Sequence, residues 1–451
     1  MHDIQQTLHN MTRRRFLGQA SSACLVLASG ASRAESKKGD FVTKLVDVLS
    51  IPNGGRPDYV QDLPLALPSL DTAQASTHPE GVLMFRGNPS HTQYGVGPAP
   101  SDFSVRWSYR MKDFHTRLRG RRITWKGTGW TGQAVAVGDF IYVGSVGRGL
   151  YAFEANTGRL RWRTEGGRMF KSSPCYYKGH LYIGNTDNLF RCVDASTGVV
   201  KWALDMGADC DSSPCVVNNR LYVGGESGHA RCIDPDSGAV LWESYLGATG
   251  PGTPPGSNGC EASPAVQGDE LFIANYDGTL FCLDSNTGLT KWSASTLDDT
   301  DASPVVTERF VYIASENKSS HVFCFDRHNA GKEVWRFSKN TYGFWSTPAI
   351  AGNDLFIGGQ DDRLYALDRH TGALRWTFKA DAAIWSSPAV SGDAIVFGSY
   401  DHYLYSIDRN SGSLITKIKL DGRCISTPII YRKCIYVGTA TGTFYCIGAA
   451  S

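Results

Sequence analysis

Three carboxylates recur at one spacing in this chain. Asp211, Glu261 and Asp301 each stand three residues before a proline, in Asp-Ser-Ser-Pro, Glu-Ala-Ser-Pro and Asp-Ala-Ser-Pro. The same position holds Lys171, Trp345, Trp385 and Ile425 in other copies of the pattern, and Thr131 in a degenerate first copy. Hard carboxylate oxygens suit a cation such as calcium, and an indole face suits a planar ring. The competing reading is a solvated polar rim that binds nothing. Cys210, Cys260 and Cys424 each lie one residue earlier. If adjacent copies are neighbours in space, Cys210 and Cys260 could form a disulfide or leave a thiol site.

These residues sit in a repeat. Seven copies run small-small-Pro, an apolar strand, a Gly-flanked hairpin, then apolar-x-Asp-x-x-Thr/Ser-Gly and a closing Trp. The tryptophans are Trp162, Trp202, Trp242, Trp292, Trp335 and Trp376; the seventh copy has Thr416 instead. An eighth copy starts at Ser426-Thr427-Pro428 and stops after Phe444-Tyr445-Cys446. Its missing last strand is available upstream in Ser104-Val105-Arg106-Trp107-Ser108. Blades that are apolar on both faces bury them only between neighbours, so a closed ring is favoured over an open array. The expectation is an all-β, eight-bladed β-propeller of four-stranded antiparallel blades over 101–451, closed by an N-terminal strand. Composition agrees, with 49 Gly, 20 Phe, 20 Tyr and 11 Trp against 6 Met. The repeat Asp is placed to accept hydrogen bonds from the Thr-Gly or Ser-Gly turn, whose Gly suits positive φ. Asp277-Gly278 reads as a type I′ hairpin pair.

The segments Ala152–Trp162 and Ala366–Trp376 resemble the tryptophan-docking motif of the pyrroloquinoline-quinone-like propellers, which include quinoprotein alcohol dehydrogenases and a non-catalytic outer-membrane assembly lipoprotein. The likeness covers residues 104 to 447 and is specific for fold, because the motif is structural in both branches. It implies a site near one mouth of the channel, where the dehydrogenases hold a quinone (PQQ) and calcium. On that reading Asp211, Glu261 and Asp301 bind the metal, while Trp345, Trp385 and Lys171 face the cofactor. Two departures weigh against it: the chain has no pair of adjacent cysteines and is shorter than those enzymes.

Most cysteines have a packing explanation. Cys192, Cys232, Cys282, Cys324 and Cys446 share one repeat position with Ala152, Ala366 and Ser406, and a site that takes Ala, Ser or Cys is a tight one. Cys175 and Cys215 both follow the repeat Pro.

The connection from Arg110 to Trp130 is long and basic, with Arg117, Arg119, Arg121 and Arg122 as candidate partner-binding residues. Together with the Pro/Gly-rich loop from Ser244 to Gly259, it should rise on the same mouth as the carboxylates. A formal charge of +2 gives no global field, so nucleic acid is not expected. Thr12-Arg13-Arg14-Arg15-Phe16-Leu17 and the weakly apolar run after it read as a twin-arginine signal over 1–34. Beyond it no apolar stretch spans a bilayer. The expected product is a periplasmic or secreted monomer. Residues 35–100 read as a linker or N-terminal arm, in which Met84–His91 carries no separate chemistry. Two functions follow: a binding or assembly scaffold for a protein or polymer partner, or a quinone- and calcium-dependent alcohol dehydrogenase.

Overall fold

The computed structural model describes residues 81–118, 121–128, 132–247, 259–316, 320–339 and 342–449. They form eight antiparallel blades. Blade 1 contains the strands Val135–Val137, Phe140–Gly144, Gly149–Glu154 and Leu160–Glu165, from the axis outwards. Blades 2 to 7 repeat that order over 175–205, 215–245, 265–295, 305–338, 349–379 and 389–419. Blade 8 takes three strands from the C-terminal end, Ile429–Tyr431, Cys434–Gly438 and Thr443–Gly448, and its outer strand from Ser104–Arg110. That strand pairs antiparallel from Ser104 opposite Gly448 to Arg110 opposite Thr443, which closes the ring.

The closing tryptophan works across blades. Trp162, Trp202, Trp242, Trp335 and Trp376 each donate their indole N–H to a carbonyl in the turn of the following blade, and Trp107 does the same to Ala155 of blade 1. The ring then covers that turn's glycine. At Gly412, φ is +71° and a Cβ would stand 2.7 Å from Trp376 Cε3, so both backbone and space demand glycine. Within its own blade each Trp faces the small repeat position, as in Cys192 opposite Trp202 and Ala366 opposite Trp376. That contact explains why only Ala, Ser or Cys fits there.

The two small residues before each proline divide their work. The first bonds a backbone carbonyl: Ser346 Oγ donates to the Gly358 carbonyl of its own blade and accepts from the Gly358 N–H, while Ser212 and Ser386 donate to the Ala262 and Ser426 carbonyls of the next blade. The second ties blade to blade. The N–H groups of Gln133, Ser173, Ser213, Ser263, Ser303 and Thr347 each donate to the hydroxyl of Ser173, Ser213, Ser263, Ser303, Thr347 and Ser387 respectively, at 2.9–3.1 Å. Each such buried bond contributes about 1 kcal/mol net, and losing one leaves a buried N–H unsatisfied at greater cost.

Turn chemistry follows the sequence with one correction. The turn at Asp277-Gly278 has positive φ only at Gly278, with Asn275 paired to Thr279. It is a three-residue loop ending in a left-handed glycine rather than a type I′ pair. Two-residue turns with both central φ positive occur between first and second strands instead, at Lys178-Gly179, Asn218-Asn219 and Arg432-Lys433.

Residues 81–97 do not lie over the ring as an arm. Gly81–Val82 pairs antiparallel with the inner strand of blade 1, and Gly95–Val96 pairs parallel with that of blade 8. Between them the Leu83, Pro89 and Ser90 carbonyls accept from Tyr176, Val266 and Val306 of blades 2, 4 and 5. Arg86 donates to the Pro348 and Pro388 carbonyls at 2.8 and 2.7 Å, with its guanidinium 4.2 Å from the Tyr94 ring centre. Tyr94 in turn bonds Ile350, and the buried His91 Nδ1–H donates to the Pro304 carbonyl at 2.8 Å. A segment bonded to the inner strands of seven blades stands on the ring axis, so it plugs the central channel. Burial lowers the His91 pKa to about 3, which keeps the ring neutral, and lowers Arg86 to about 10, which leaves its charge in place at neutral pH.

Candidate functional site

The mouth opposite the plug is built from two kinds of segment: the lead-in to each inner strand, and the hairpin turn between second and third strands. The lead-ins place Lys171, Asp211, Glu261, Asp301, Trp345, Trp385 and Ile425 around the ring; Thr131 lies outside the described residues. Carboxylate oxygens of Asp211, Glu226 and Glu261 lie within 4.8 Å of one another, and Asp301 is not part of that group. Glu226 lies outside the lead-in pattern, so the repeat spacing does not tie it to Asp211 and Glu261. The signal was present, since Gly224-Gly225-Glu226 is the blade 3 hairpin turn that reaches this mouth.

Lys171 Nζ contacts Asp211 Oδ2 at 2.5 Å, with both side chains largely buried. The other Asp211 oxygen, Oδ1, is buried with no hydrogen-bond partner. Burial opposes the charge on Lys171, but Asp211, Asp209 and Glu226 together raise its pKa. Asp209 is pushed up to about 6, first by burial and then by its neighbour Asp211. Tyr276 donates its hydroxyl to Glu226. The cluster therefore holds more carboxylate than ammonium, and it includes one buried acceptor oxygen without a hydrogen-bond partner. Asp211, Glu226 and Glu261 fit a hard divalent cation by donor type.

The aromatic side does not fit a sandwiched quinone. Trp345 and Trp385 pack on each other with ring centres 4.0 Å apart and planes at 43°. A planar ligand between them would need about 7 Å, two van der Waals contacts. Trp385 continues to Tyr400 at 4.7 Å, whose ring lies 4.8 Å from the Arg423 guanidinium carbon. Aromatic surface here is spent on protein, and Lys171 is held by Asp211.

Cys210, Cys260 and Cys424 are free and fully buried, so the disulfide option between Cys210 and Cys260 is not realised. Each fills the space over a glycine of the preceding blade's second strand or the residue just after it, Gly184, Gly224 and Gly398 respectively. Burial raises all three thiols well above their ordinary range.

The basic connection forms a two-stranded hairpin, Phe114–Leu118 with Arg121–Trp125, that the other blades lack among the described residues. Arg117 stands directly opposite Arg122, and Arg117, Arg121 and Arg122 are exposed without an ion pair among the described residues. Arg119 and residues 248–258 of the Pro/Gly loop lie outside the described residues. The hairpin is seated by Lys112 N–H on the Tyr151 hydroxyl and by Arg148 over the Phe114 ring. Arg148 belongs to the blade 1 turn equivalent to the one that carries Glu226, so hairpin and carboxylates share a mouth.

The family model described as outer membrane protein assembly factor BamB matches residues 104–330 and 327–415. This chain belongs to the BamB family. Among solved structures, BamB from Moraxella catarrhalis is 18% identical, with a TM-score of 0.61 over 77% of this chain and 99% of that one. The quinohemoprotein alcohol dehydrogenase from Comamonas testosteroni is 14% identical, with a TM-score of 0.69 over 84% of this chain and 82% of that one. A europium-containing methanol dehydrogenase is 15% identical, with a TM-score of 0.65 over 80% and 89%. No curated protein matches the sequence. At these identities the structures show the shared fold alone. Among the described residues of this BamB-family propeller, no helix is long and apolar enough to cross a membrane.

Proposed function

We propose that this protein is an exported, periplasmic binding or assembly scaffold that holds a protein or polymer partner at the mouth bearing the carboxylates and the basic hairpin. The hairpin carries the reading. Like charges directly opposite in a two-stranded sheet are destabilising, and exposed arginines with no internal counter-charge are offset when an anionic partner docks. Membership of the BamB family supports a protein partner, and the Arg13-Arg14-Arg15-Phe16-Leu17 segment supports twin-arginine export.

The second reading, a PQQ- and calcium-dependent alcohol dehydrogenase, has one observation in its favour. Asp211, Glu226 and Glu261 would hold a divalent cation, which when bound would polarise an oxygen ligand. The Trp345–Trp385 stack leaves no slot for a quinone between those rings, so no step is derived through it.

One experiment separates the two. Purified protein is incubated with calcium and PQQ, desalted, and examined for a retained quinone absorption band and dye-linked alcohol oxidation. It is also titrated with polyglutamate as an anionic probe. The scaffold reading expects neither band nor oxidation, salt-sensitive probe binding, and about tenfold weaker binding in the combined Arg117→Gln, Arg121→Gln and Arg122→Gln variant. Quinone-dependent turnover, or probe binding indifferent to the three substitutions, overturns it.

A further inference from the structure

Exposed apolar side chains occur all round this ring, and most are displayed without strain. Leu289, at 71% the most exposed large hydrophobic among the described residues, has no positive φ. Two others differ. Leu297 is 53% exposed at φ +68° and Tyr342 is 67% exposed at φ +61°, and among the described residues they are the only large hydrophobics with positive φ. A β-carbon strains the backbone in that region, so each of these side chains is displayed against stability.

Both stand on the carboxylate mouth. Leu297 lies in the connection from blade 4 to blade 5, and Tyr342 in the next one, from blade 5 to blade 6. Leu297 is seven residues before Pro304, the place that Gly207 holds seven before Pro214 in the lead-in of blade 3. The two turns are built alike. Gly207, at φ +79°, donates its N–H to Asp205 Oδ1 at 2.8 Å, and Leu297 donates its N–H to Ser295 Oγ at 3.1 Å. A leucine therefore occupies a turn that glycine fits without strain. The turn is held by the Thr296 N–H on the Gly278 carbonyl, by the Thr296 and Thr300 hydroxyls on each other at 2.8 Å, and by the Glu316 N–H on the Asp299 carbonyl. Thr296 and Thr300 are fully buried, so Leu297 is presented from a fixed backbone. Just past Tyr342, the Phe344 N–H donates to the Ser315 carbonyl and the buried Phe344 ring stands edge-on to Tyr365.

We propose that Leu297 and Tyr342 are the apolar anchors by which this mouth docks a protein partner. The assignment rests on the reading of the mouth as a docking surface, and it names what the side formed by blades 4 to 6 takes. The occupant presents aromatic or aliphatic side chains bordered by basic residues, because Asp298, Asp299 and Asp301 follow Leu297 closely in the chain. Apolar groups desolvated at an interface supply most of its binding free energy, and a backbone fixed beforehand loses little entropy on docking. The basic hairpin lies in the connection from blade 8 to blade 1, half a ring away from Leu297. A partner that meets both is a protein surface broad enough to span the mouth.

Labelled polylysine and a lysine-rich lysine–tyrosine copolymer of equal length are titrated against the full-chain wild type, Leu297→Asn and Tyr342→Asn, with denaturant midpoints measured in parallel. The copolymer should bind the wild type about tenfold tighter than polylysine, and each substitution should remove most of that gain. Asparagine takes left-handed backbone with less strain than leucine or tyrosine, so neither variant should have a lower midpoint than the wild type. Equal binding of the two polymers, no binding of either, or a gain that survives both substitutions overturns the anchors. A lower midpoint in Leu297→Asn does the same, since the leucine would then be a packing residue. Self-association of the wild type that the substitutions abolish would make the occupant a second copy and overturn the partner assignment. Polyglutamate binding that depends on Arg117, Arg121 and Arg122 reports the docking mouth separately, so failure of the anchors and failure of that reading are told apart.

Discussion

Single carboxylates carry opposite electrostatic fortunes according to where their hydrogen bonds come from. The repeat aspartates sit in turns that donate to them: Ser237 and its N–H hold Asp234 below the usual carboxylate range, and Ser411 does the same for Asp408. Asp209 has burial and the neighbouring Asp211 against it, and its pKa is raised to about 6. The native state therefore binds a proton at Asp209 more tightly than the unfolded chain. Stability from this group is fully present below the unfolded value near 4, falls as pH rises towards 6, and is lost above it. Asp209→Asn should raise unfolding free energy on the order of 1–2 kcal/mol at pH 7.5 and leave it unchanged at pH 4, read by urea denaturation at both pH values. A gain of equal size at both would show that the charge is not the cause.

At the scale of the element, the closing strand explains an irregularity in the repeat. Seven tryptophans dock on seven outer turns, with Trp107 serving blade 1 through Ala155 and Gly158. Blade 7 faces blade 8, which has no outer turn to receive an indole, and it is there that Thr416 replaces the tryptophan. Trp107→Ala should cost on the order of 3 kcal/mol, and deletion of 101–109 should expose the Thr443–Gly448 edge and promote aggregation. Thr416→Ala should stay within about 0.5 kcal/mol. Denaturant midpoints and light scattering on the three proteins check this. Equal losses for Trp107 and Thr416 would contradict the docking argument.

Across the whole molecule the plug at 81–97 fills one end of the channel, and the carboxylate group stands at the other mouth. A cation held there binds only the folded ring. Millimolar calcium should raise the melting temperature by a few degrees, about 2.7 kcal/mol of stabilisation at a hundredfold excess over the dissociation constant. The combined Asp211→Asn, Glu226→Gln and Glu261→Gln variant should lose that response, and Asp301→Asn should keep it, because Asp301 stands outside the group. Calcium without effect on the wild type would remove the metal site. A response that survives the triple variant would move it to another carboxylate turn, with Asp361 and Asp362 next in line.

The ring itself was legible in the residues. Seven small-small-Pro lead-ins and a degenerate first one, the Asp-x-x-Thr/Ser-Gly turns and the upstream Trp107 strand determine blade number and closure, since each is a local pattern whose partner is another copy of itself. What tertiary structure alone decided has partners of a different kind. Arg86 finds carbonyls 262 and 302 residues away, so the plug has no periodicity by which to be read. Glu226 joins Asp211 and Glu261 from a turn rather than a lead-in. The Trp345–Trp385 contact turned two candidate cofactor faces into one packed pair, because spacing along a chain fixes which blade a ring belongs to and not how closely two rings stand.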